Sequence, residues 1–146
     1  MEFKEADSFS NLPQDKIKAV CAFCYYAGKF ILVKNHGNWE PVAGHVEINE
    51  SSENTLIREV KEESNTRVID KYPLGYFYST EGDFYSTLYL CFVEPDGPFI
   101  SDPGGEVTEI KFVDFSEIPE YVNKDDITNQ TLSRCEHIFK KIDKSN

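Results

Sequence analysis

The stretch GHVEINESSENTLIREVKEESNT, Gly44 to Thr66, joins a turn-rich start to a densely charged helix. Ser51 and Ser52 are both suited to cap the helix N-terminus, because a serine hydroxyl can accept from a free backbone N–H of the first turn. The apolar residues recur at helical spacing: Leu56, Ile57 and Val60. They predict one buried stripe, and the stretch is therefore expected to pack against a sheet by that face.

Three glutamates of this helix share one ridge. Glu59, Glu62 and Glu63 have the relation i, i+3, i+4, and the ridge lies beside the apolar stripe. Like charges at this spacing repel, and Arg58 can offset part of the repulsion by pairing with Glu62. Clustered carboxylates suit a hard cation such as Mg²⁺ or Mn²⁺, but glutamate-rich solvated faces are also common. The helix alone leaves both interpretations open.

Spacing beyond the helix favours the cation. The stretch resembles the Nudix box, G-x5-E-x7-R-E-U-x-E-E-x-G-U with U aliphatic, and the matching residues are Gly44, Glu50, Arg58, Glu59, Val60, Glu62 and Glu63. Two positions depart from the box: Asn65 replaces a glycine, and Thr66 replaces an aliphatic residue. Asparagine is the next best residue for a left-handed helix end, and a β-branched threonine can begin a strand. Ala43 stands where the family often has a second glycine.

The resemblance implies a Nudix hydrolase, which uses water and divalent cations to split a nucleoside diphosphate linked to another group. Carried onto this chain, it implies metal ligands and catalytic residues as follows. The metal ligands would be the Ala43 carbonyl and the carboxylates of Glu59, Glu62 and Glu63. The catalytic set would be Glu59, Glu62, the supporting Arg58 and the loop residue Glu106. Glu50 would pair with Arg58, Gly44 would shape the turn, and Glu109 is a second choice to Glu106 as general base.

The rest of the chain predicts strands with a helix at the end. A hairpin is expected over residues 17–34, turning near Ala27-Gly28, followed after the box by short strands at RVID and LGYFYS. DFYSTLYLCFVE predicts a strand buried on both faces, TEIKFVDF a last strand, and the C-terminal segment an amphipathic helix. The order resembles the family's α/β/α sandwich, a mixed sheet packed between helices. We expect one domain over residues 1–146, with residues 1–16 as a loose lead-in.

Composition limits the partners. The formal net charge of −11 makes a broad nucleic-acid-binding surface unlikely and disfavours removal of mRNA caps. A small phosphorylated ligand can still bind through a divalent cation, which reverses the local charge. The N-terminus has no signal-peptide pattern, and no apolar stretch is long enough for a bilayer. We expect a cytoplasmic protein whose partner is a small-molecule nucleotide. A homodimer remains open.

Cys21 and Cys24 form a C-x-x-C spacing within a predicted strand. Residues three apart on a strand point to opposite faces, so a shared zinc ion is not expected and core thiols are.

Aromatic residues that could stack on a nucleobase include Trp39 and Tyr85, although such residues are more often core. His45, next to Gly44, could approach the substrate or the metal. A non-catalytic module that binds a nucleotide is the alternative to a hydrolase.

Overall fold

The computed structural model of the chain describes residues 1–122 and 125–145. The strands in these ranges are β1 (Lys4–Glu5), β2 (Ile17–Tyr26), β3 (Lys29–Asn35), β4 (Asn38–Glu40), β5 (Val42–His45), β6 (Thr66–Ser79), β7 (Phe84–Pro95) and β8 (Val107–Val113). The helices are α1 (Ser52–Ser64), α2 (Ile118–Tyr121) and α3 (Asp126–Ser145). Single 3-10 turns lie at Gln14–Lys16 and Phe115–Glu117.

The strands form one mixed sheet. Its order is β1-β6-β7-β2-β3-β4, with β5 also paired to β2 and β8 to β3. The central pair, β2 and β7, is parallel, whereas the other pairings described are antiparallel. The predicted hairpin is confirmed, since β2 and β3 meet at Ala27 and Gly28, both with positive φ. Strand β4 pairs with β3, and β5 pairs with β2. The chain therefore moves from one partner strand to the other at Pro41, which separates β4 from β5.

Two hydrophobic clusters, one on each face of the sheet, give the fold its three layers. Helix α1 contributes Leu56 and Val60, both fully buried, to the first cluster. Helix α3 contributes Leu132, Cys135 and Ile138 to the second. Strand β7 supplies side chains to both clusters, as expected for a strand covered on both faces. The α/β/α sandwich predicted from the sequence is confirmed.

Helix α1 begins and ends much as its sequence predicts. The Ser51 hydroxyl accepts from the Asn54 N–H at 3.1 Å, so Ser51 is the N-cap. Asn65 ends the helix in the left-handed conformation, with φ 53° and ψ 42°. The prediction of a buried stripe is wrong for Ile57, which is 45% exposed. Ile57 lies at the outer margin of the helix face on which Leu56 and Val60 are buried.

Two further expectations differ from the structure. The segments RVID and LGYFYS belong to one strand, β6, which stays continuous through Pro73 because register shifts at Val68/Asp70 and Pro73/Gly75 absorb the irregularity. The N-terminal segment is not a loose lead-in. Strand β1 pairs with β6, and Phe9 is 8% exposed and packs edge-on against Tyr89.

The four cysteines are free thiols. Cys24 lies in the first cluster and Cys21 packs against the second, so the two sulfurs point to opposite faces as expected. In the described ranges, no helix is long and apolar enough to cross a membrane.

Candidate active site

The box residues meet where α1 crosses β5. Gly44 lies in β5, opposite Val20 of β2, and the side chain of Glu59 packs directly on its backbone. A Cβ atom at Gly44 would lie 2.2 Å from Cδ of Glu59, so any side chain here would displace the Glu59 carboxylate from its position. The glycine was expected to shape a turn. Instead, it makes room for a carboxylate against the strand.

Arg58 is the centre of the ion-pair network. Its Nε donates to Oε2 of Glu50 at 2.7 Å, and its Nη2 donates to Oε1 of Glu50 at 3.0 Å. The same guanidinium donates to Glu59 at 2.7 Å, to Glu62 at 3.3 Å and to the carbonyl of His45 at 3.2 Å. Arg58 thus ties the loop before the helix to the glutamate ridge.

Glu50 is fixed from several sides. Its carboxylate also accepts from the Thr55 hydroxyl at 2.7 Å and from the Glu47 N–H at 3.2 Å. Hydrogen bonds from Arg58 lower the pKa of Glu50 to about 2. Glu50 therefore remains ionised, which matches the supporting role that the family resemblance implies.

Glu63 is the most buried carboxyl group of the ridge, with 2% of its surface exposed. Its Oε1 accepts from the Ala43 N–H at 3.2 Å. Burial, together with the nearby Glu59 and Asp102 carboxylates, raises the pKa of Glu63 to about 8, although the hydrogen bond from Ala43 acts in the opposite direction. Burial also raises the pKa of Glu59, against the opposing charge of Arg58. Burial therefore favours the protonated form of both carboxyl groups, and Arg58 opposes this effect at Glu59.

The donor set fits a divalent cation. Carboxylate oxygens on Glu59, Glu62 and Glu63, beside the backbone of Ala43, are the hard ligands that Mg²⁺ and Mn²⁺ take. A cation here would favour the ionised form of Glu63, against the burial that raises the pKa of this group. Among the described residues, no three Asp, Glu, His or Cys side chains are already arranged to hold a metal ion. The ridge is held by Arg58 instead, and Glu62 keeps 30% of its side chain exposed.

A loop before β8 approaches this site through a residue that the sequence reasoning missed. Asp102 is 8% exposed, and its carboxylate accepts from the N–H groups of Gly104, Glu106 and Val107 at 2.8, 3.2 and 3.0 Å. Its charge reaches Glu63. An aspartate followed by Pro-Gly-Gly is a turn signal, so the segment DPGGE, residues 102–106, could have indicated this residue.

The two general-base candidates have different surroundings. Glu106 is exposed at the end of the loop that Asp102 holds, and its charge reaches Glu40. Glu109 is paired with Lys34 at 3.4 Å on the exposed side of β8. Glu109 is thus engaged in an ion pair, whereas Glu106 ends the loop that Asp102 holds, and the role of Glu106 as general base stays a prediction.

The two aromatic residues proposed from the sequence, Trp39 and Tyr85, lie in different parts of the fold. Trp39 packs against the second cluster, whereas Tyr85 packs against the first, beside Tyr76 and Tyr78. The two rings therefore cannot hold one base between them. The side chain of His45 is exposed, and its carbonyl accepts from Arg58.

The chain is similar to known proteins both in sequence and in fold. A relative from Mycobacterium tuberculosis, whose name, MutT4, places it among mutator proteins, is 34% identical over 85 residues. That match covers 56% of this chain and 34% of the relative, so the chain spans about a third of the relative's length.

Solved structures share the fold at low identity. The Bacillus subtilis pyrophosphohydrolase BsRppH, solved as a point mutant, has a TM-score of 0.71 at 23% identity, covering 94% of this chain and 97% of that one. The Caenorhabditis elegans Ap4A hydrolase, in a binary complex, has a TM-score of 0.65 at 19% identity, covering 85% and 99%. The NUDIX domain family matches residues 15–132, which is most of the chain. Because this family match spans most of the chain, the chain belongs to the NUDIX domain family.

Proposed function

We propose that the protein is a divalent-metal-dependent hydrolase that cleaves the diphosphate linkage of a nucleoside diphosphate joined to another group. The substrate class is a (deoxy)nucleoside triphosphate or a small nucleotide derivative. One observation carries the proposal: Glu59, Glu62 and Glu63 form a ridge against the Ala43–Gly44 backbone, with Arg58 holding the ridge to its loop. The relatives named above, a pyrophosphohydrolase, an Ap4A hydrolase and a mutator protein, support the same chemistry.

Each residue has a separate task in this proposal. Glu59, Glu62, Glu63 and the Ala43 carbonyl would hold Mg²⁺ or Mn²⁺. When bound, the cation supplies neutralisation of the diphosphate and a lower pKa for the attacking water. Arg58, anchored by Glu50, keeps the ridge in register with β5. Glu106 accepts the proton of the water as it attacks phosphorus, and the bridging P–O bond breaks.

Glu62→Gln tests the hydrolase. Glutamine keeps the volume but removes the charge, so we expect turnover to fall by about 100-fold or more in both Mg²⁺ and Mn²⁺. Phosphate and pyrophosphate release across a nucleotide panel measures this, and the products show which phosphorus is attacked. Glu53→Gln is the matched control, since Glu53 lies on the same helix with 65% of its side chain exposed.

The outcomes separate the two functions. Turnover by wild type and Glu53→Gln, but not by Glu62→Gln, supports the hydrolase. Tight nucleotide binding by a wild-type protein that cleaves nothing would contradict it and indicate a nucleotide-binding module.

A further inference from the structure

A small cavity lies beside helix α3, at the tip of the β2–β3 hairpin. It has a volume of about 220 Å³, and its lining residues are Tyr25, Gly28, Phe30, Phe115, Glu136 and Phe139. The four aromatic residues of this lining belong to the second cluster or pack against it, whereas the box helix α1 contributes to the first cluster. The cavity is therefore on the opposite face of the sheet from the box helix. A Cβ atom added at Gly28 would meet no atom within 4 Å, so a ligand can enter from the hairpin turn.

The walls of the cavity are aromatic rings whose planes are steeply inclined to one another. The centroid of the Phe139 ring lies 4.7 Å from that of Tyr25, with the planes at 72°, and 5.7 Å from that of Phe30, with the planes at 57°. The Phe115 ring lies 5.6 Å from Phe30, with the planes at 55°. Rings at such angles cannot all turn their edges to one cavity, so ring faces border it. The face of an aromatic ring is its negative side.

The cavity also has a carboxylate at its margin. Among the described residues that line it, Glu136 alone carries a charge. The Glu136 side chain is 54% exposed and pairs with Lys140 at 3.3 Å, one turn further along α3. An exposed pair of this kind contributes little, so the carboxylate is available to a ligand. On the hairpin side, the charge of Lys29 is already compensated by Asp114 at 2.6 Å.

We propose that this cavity binds a small organic cation with a methylated ammonium group, whose methyl groups lie against the rings and whose charge faces Glu136. Ring faces attract cations that approach within about 6 Å of their centroids. A primary ammonium group is strongly hydrated, whereas methylation removes the N–H donors that hold this water. The site is independent of the hydrolase proposed above, and it would hold a ligand of opposite charge to a nucleotide.

Charge and size select this occupant over others. An apolar occupant would gain nothing from Glu136, and an anion would be repelled by Glu136 and by the net charge of −11. The volume suits a headgroup, since sites for drug-sized ligands run from about 300 to 1,000 Å³. A free cation is favoured over a lipid headgroup, because the negative surface potential of membranes repels a chain of this net charge.

The test compares choline with its neutral isostere. In 3,3-dimethylbutan-1-ol a carbon atom replaces the nitrogen, so the shape is kept and the charge is lost. Saturation-transfer difference NMR on the full chain measures transfer to the methyl protons of each ligand during a titration. We expect saturable transfer to choline and an affinity at least about 3-fold weaker for the alcohol, as expected for loss of a cation–π contact.

Two charge variants on α3 should have opposite effects. Glu136→Gln should weaken choline binding by about 2-fold to 5-fold, the size of an exposed ion pair, without weakening the binding of the alcohol. Lys140→Gln should tighten choline binding, because it removes the competitor for the Glu136 carboxylate. Lys4→Gln removes a lysine from a similarly exposed pair with Glu2, outside the lining, and is the matched control that should change nothing.

A ring variant tests the aromatic walls. Phe115→Leu keeps an apolar side chain but removes one ring, and it should weaken choline binding by about 2-fold to 5-fold. Phe112→Leu is the control, since Phe112 is 46% exposed and is not part of the lining.

The outcomes separate the occupants. Equal affinities for choline and the alcohol, with no response to Glu136→Gln, would overturn the cation site in favour of an apolar pocket. Absence of saturable transfer to choline would also overturn it. Cosedimentation with phosphatidylcholine vesicles without binding of free choline would assign the cavity to a lipid headgroup and overturn the free cation. Glu62→Gln, the test of the hydrolase, should leave choline binding unchanged, so either proposal can fail alone.

Discussion

Glu63 is a carboxylic acid that the fold almost completely removes from water. Its ordinary pKa of 4.5 rises to about 8, chiefly through burial. Between these two values the folded state binds a proton that the unfolded chain has released. The stability of the metal-free protein is therefore expected to fall as the pH rises through this window.

Glu63→Gln tests this linkage. Glutamine can still accept from the Ala43 N–H but does not titrate. We expect the metal-free variant to show a flatter dependence of unfolding free energy on pH, and to exceed wild type by at least about 1 kcal/mol at pH 8. Urea unfolding in EDTA from pH 5 to 8.5 measures this, with Glu53→Gln as the control. Parallel curves for wild type and Glu63→Gln would show that Glu63 is ionised at neutral pH.

Asp102 organises the loop that carries Glu106. Replacing it with asparagine leaves one oxygen to serve three backbone N–H groups, so we expect a loss of about 1–3 kcal/mol in unfolding free energy together with reduced kcat. Asp96→Asn, in the same connection but with an exposed carboxylate paired to Lys61 and Arg67, should cost less and leave kcat unchanged. Equal effects of the two variants on kcat would contradict the positioning of Glu106 by Asp102.

At the scale of elements, the end of α1 depends on a left-handed asparagine. The Asn65 N–H donates to the Lys61 carbonyl at 2.9 Å, and its Nδ2 donates to the Pro98 carbonyl at 3.0 Å. Asn65→Ala keeps a Cβ without the polar contacts and should cost about 1–2 kcal/mol. Asn65→Gly loses the side-chain contacts but adopts the conformation freely, so it should cost less. Urea midpoints give the order, and a more stable alanine variant would contradict this explanation.

Elements with strong periodicity could be predicted from the sequence, whereas their irregularities could not. The β2–β3 hairpin, α1 and α3 have clear local signals, and all three are present. Pro73 suggested a break, but a proline next to a register shift can stay within a strand because the N–H it lacks is not needed there. The burial of Phe9 depends on a pocket that distant strands create, and no local pattern encodes that pocket.

At the scale of the whole molecule, the N-terminal segment contacts both the first cluster, to which α1 contributes, and helix α3 on the other face of the sheet. Phe9 packs into the first cluster, and Arg134 of α3 pairs with Glu5 and Asp7. Phe9→Ala should lower the unfolding free energy by about 3 kcal/mol, the cost of a large core truncation. Ile48→Ala, at a residue that is 93% exposed, is the apolar control and should have little effect. Calorimetry compares the two, and equal melting temperatures would mean that the segment is dispensable for stability.

The candidate site also has residues that sequence spacing predicts and residues that it does not. Fixed spacing along one helix was enough to predict Glu59, Glu62, Glu63 and Arg58 as a group, and they do lie together. Asp102 comes from a segment far along the chain, and only the sheet topology brings it close to Glu63. Sequence spacing contains no information on such proximity.

The parallel pairing of β2 with β7 also has a consequence for synthesis. Cys21 lies opposite Leu88, so during synthesis β2 cannot pair with this neighbour until residue 88 has left the ribosome. Until then the edge of β2 that pairs with β7 is uncovered, and such an edge, with its Val, Phe and Tyr side chains, is prone to intermolecular pairing. The net negative charge of the chain then opposes aggregation, since like-charged nascent chains repel one another during that interval.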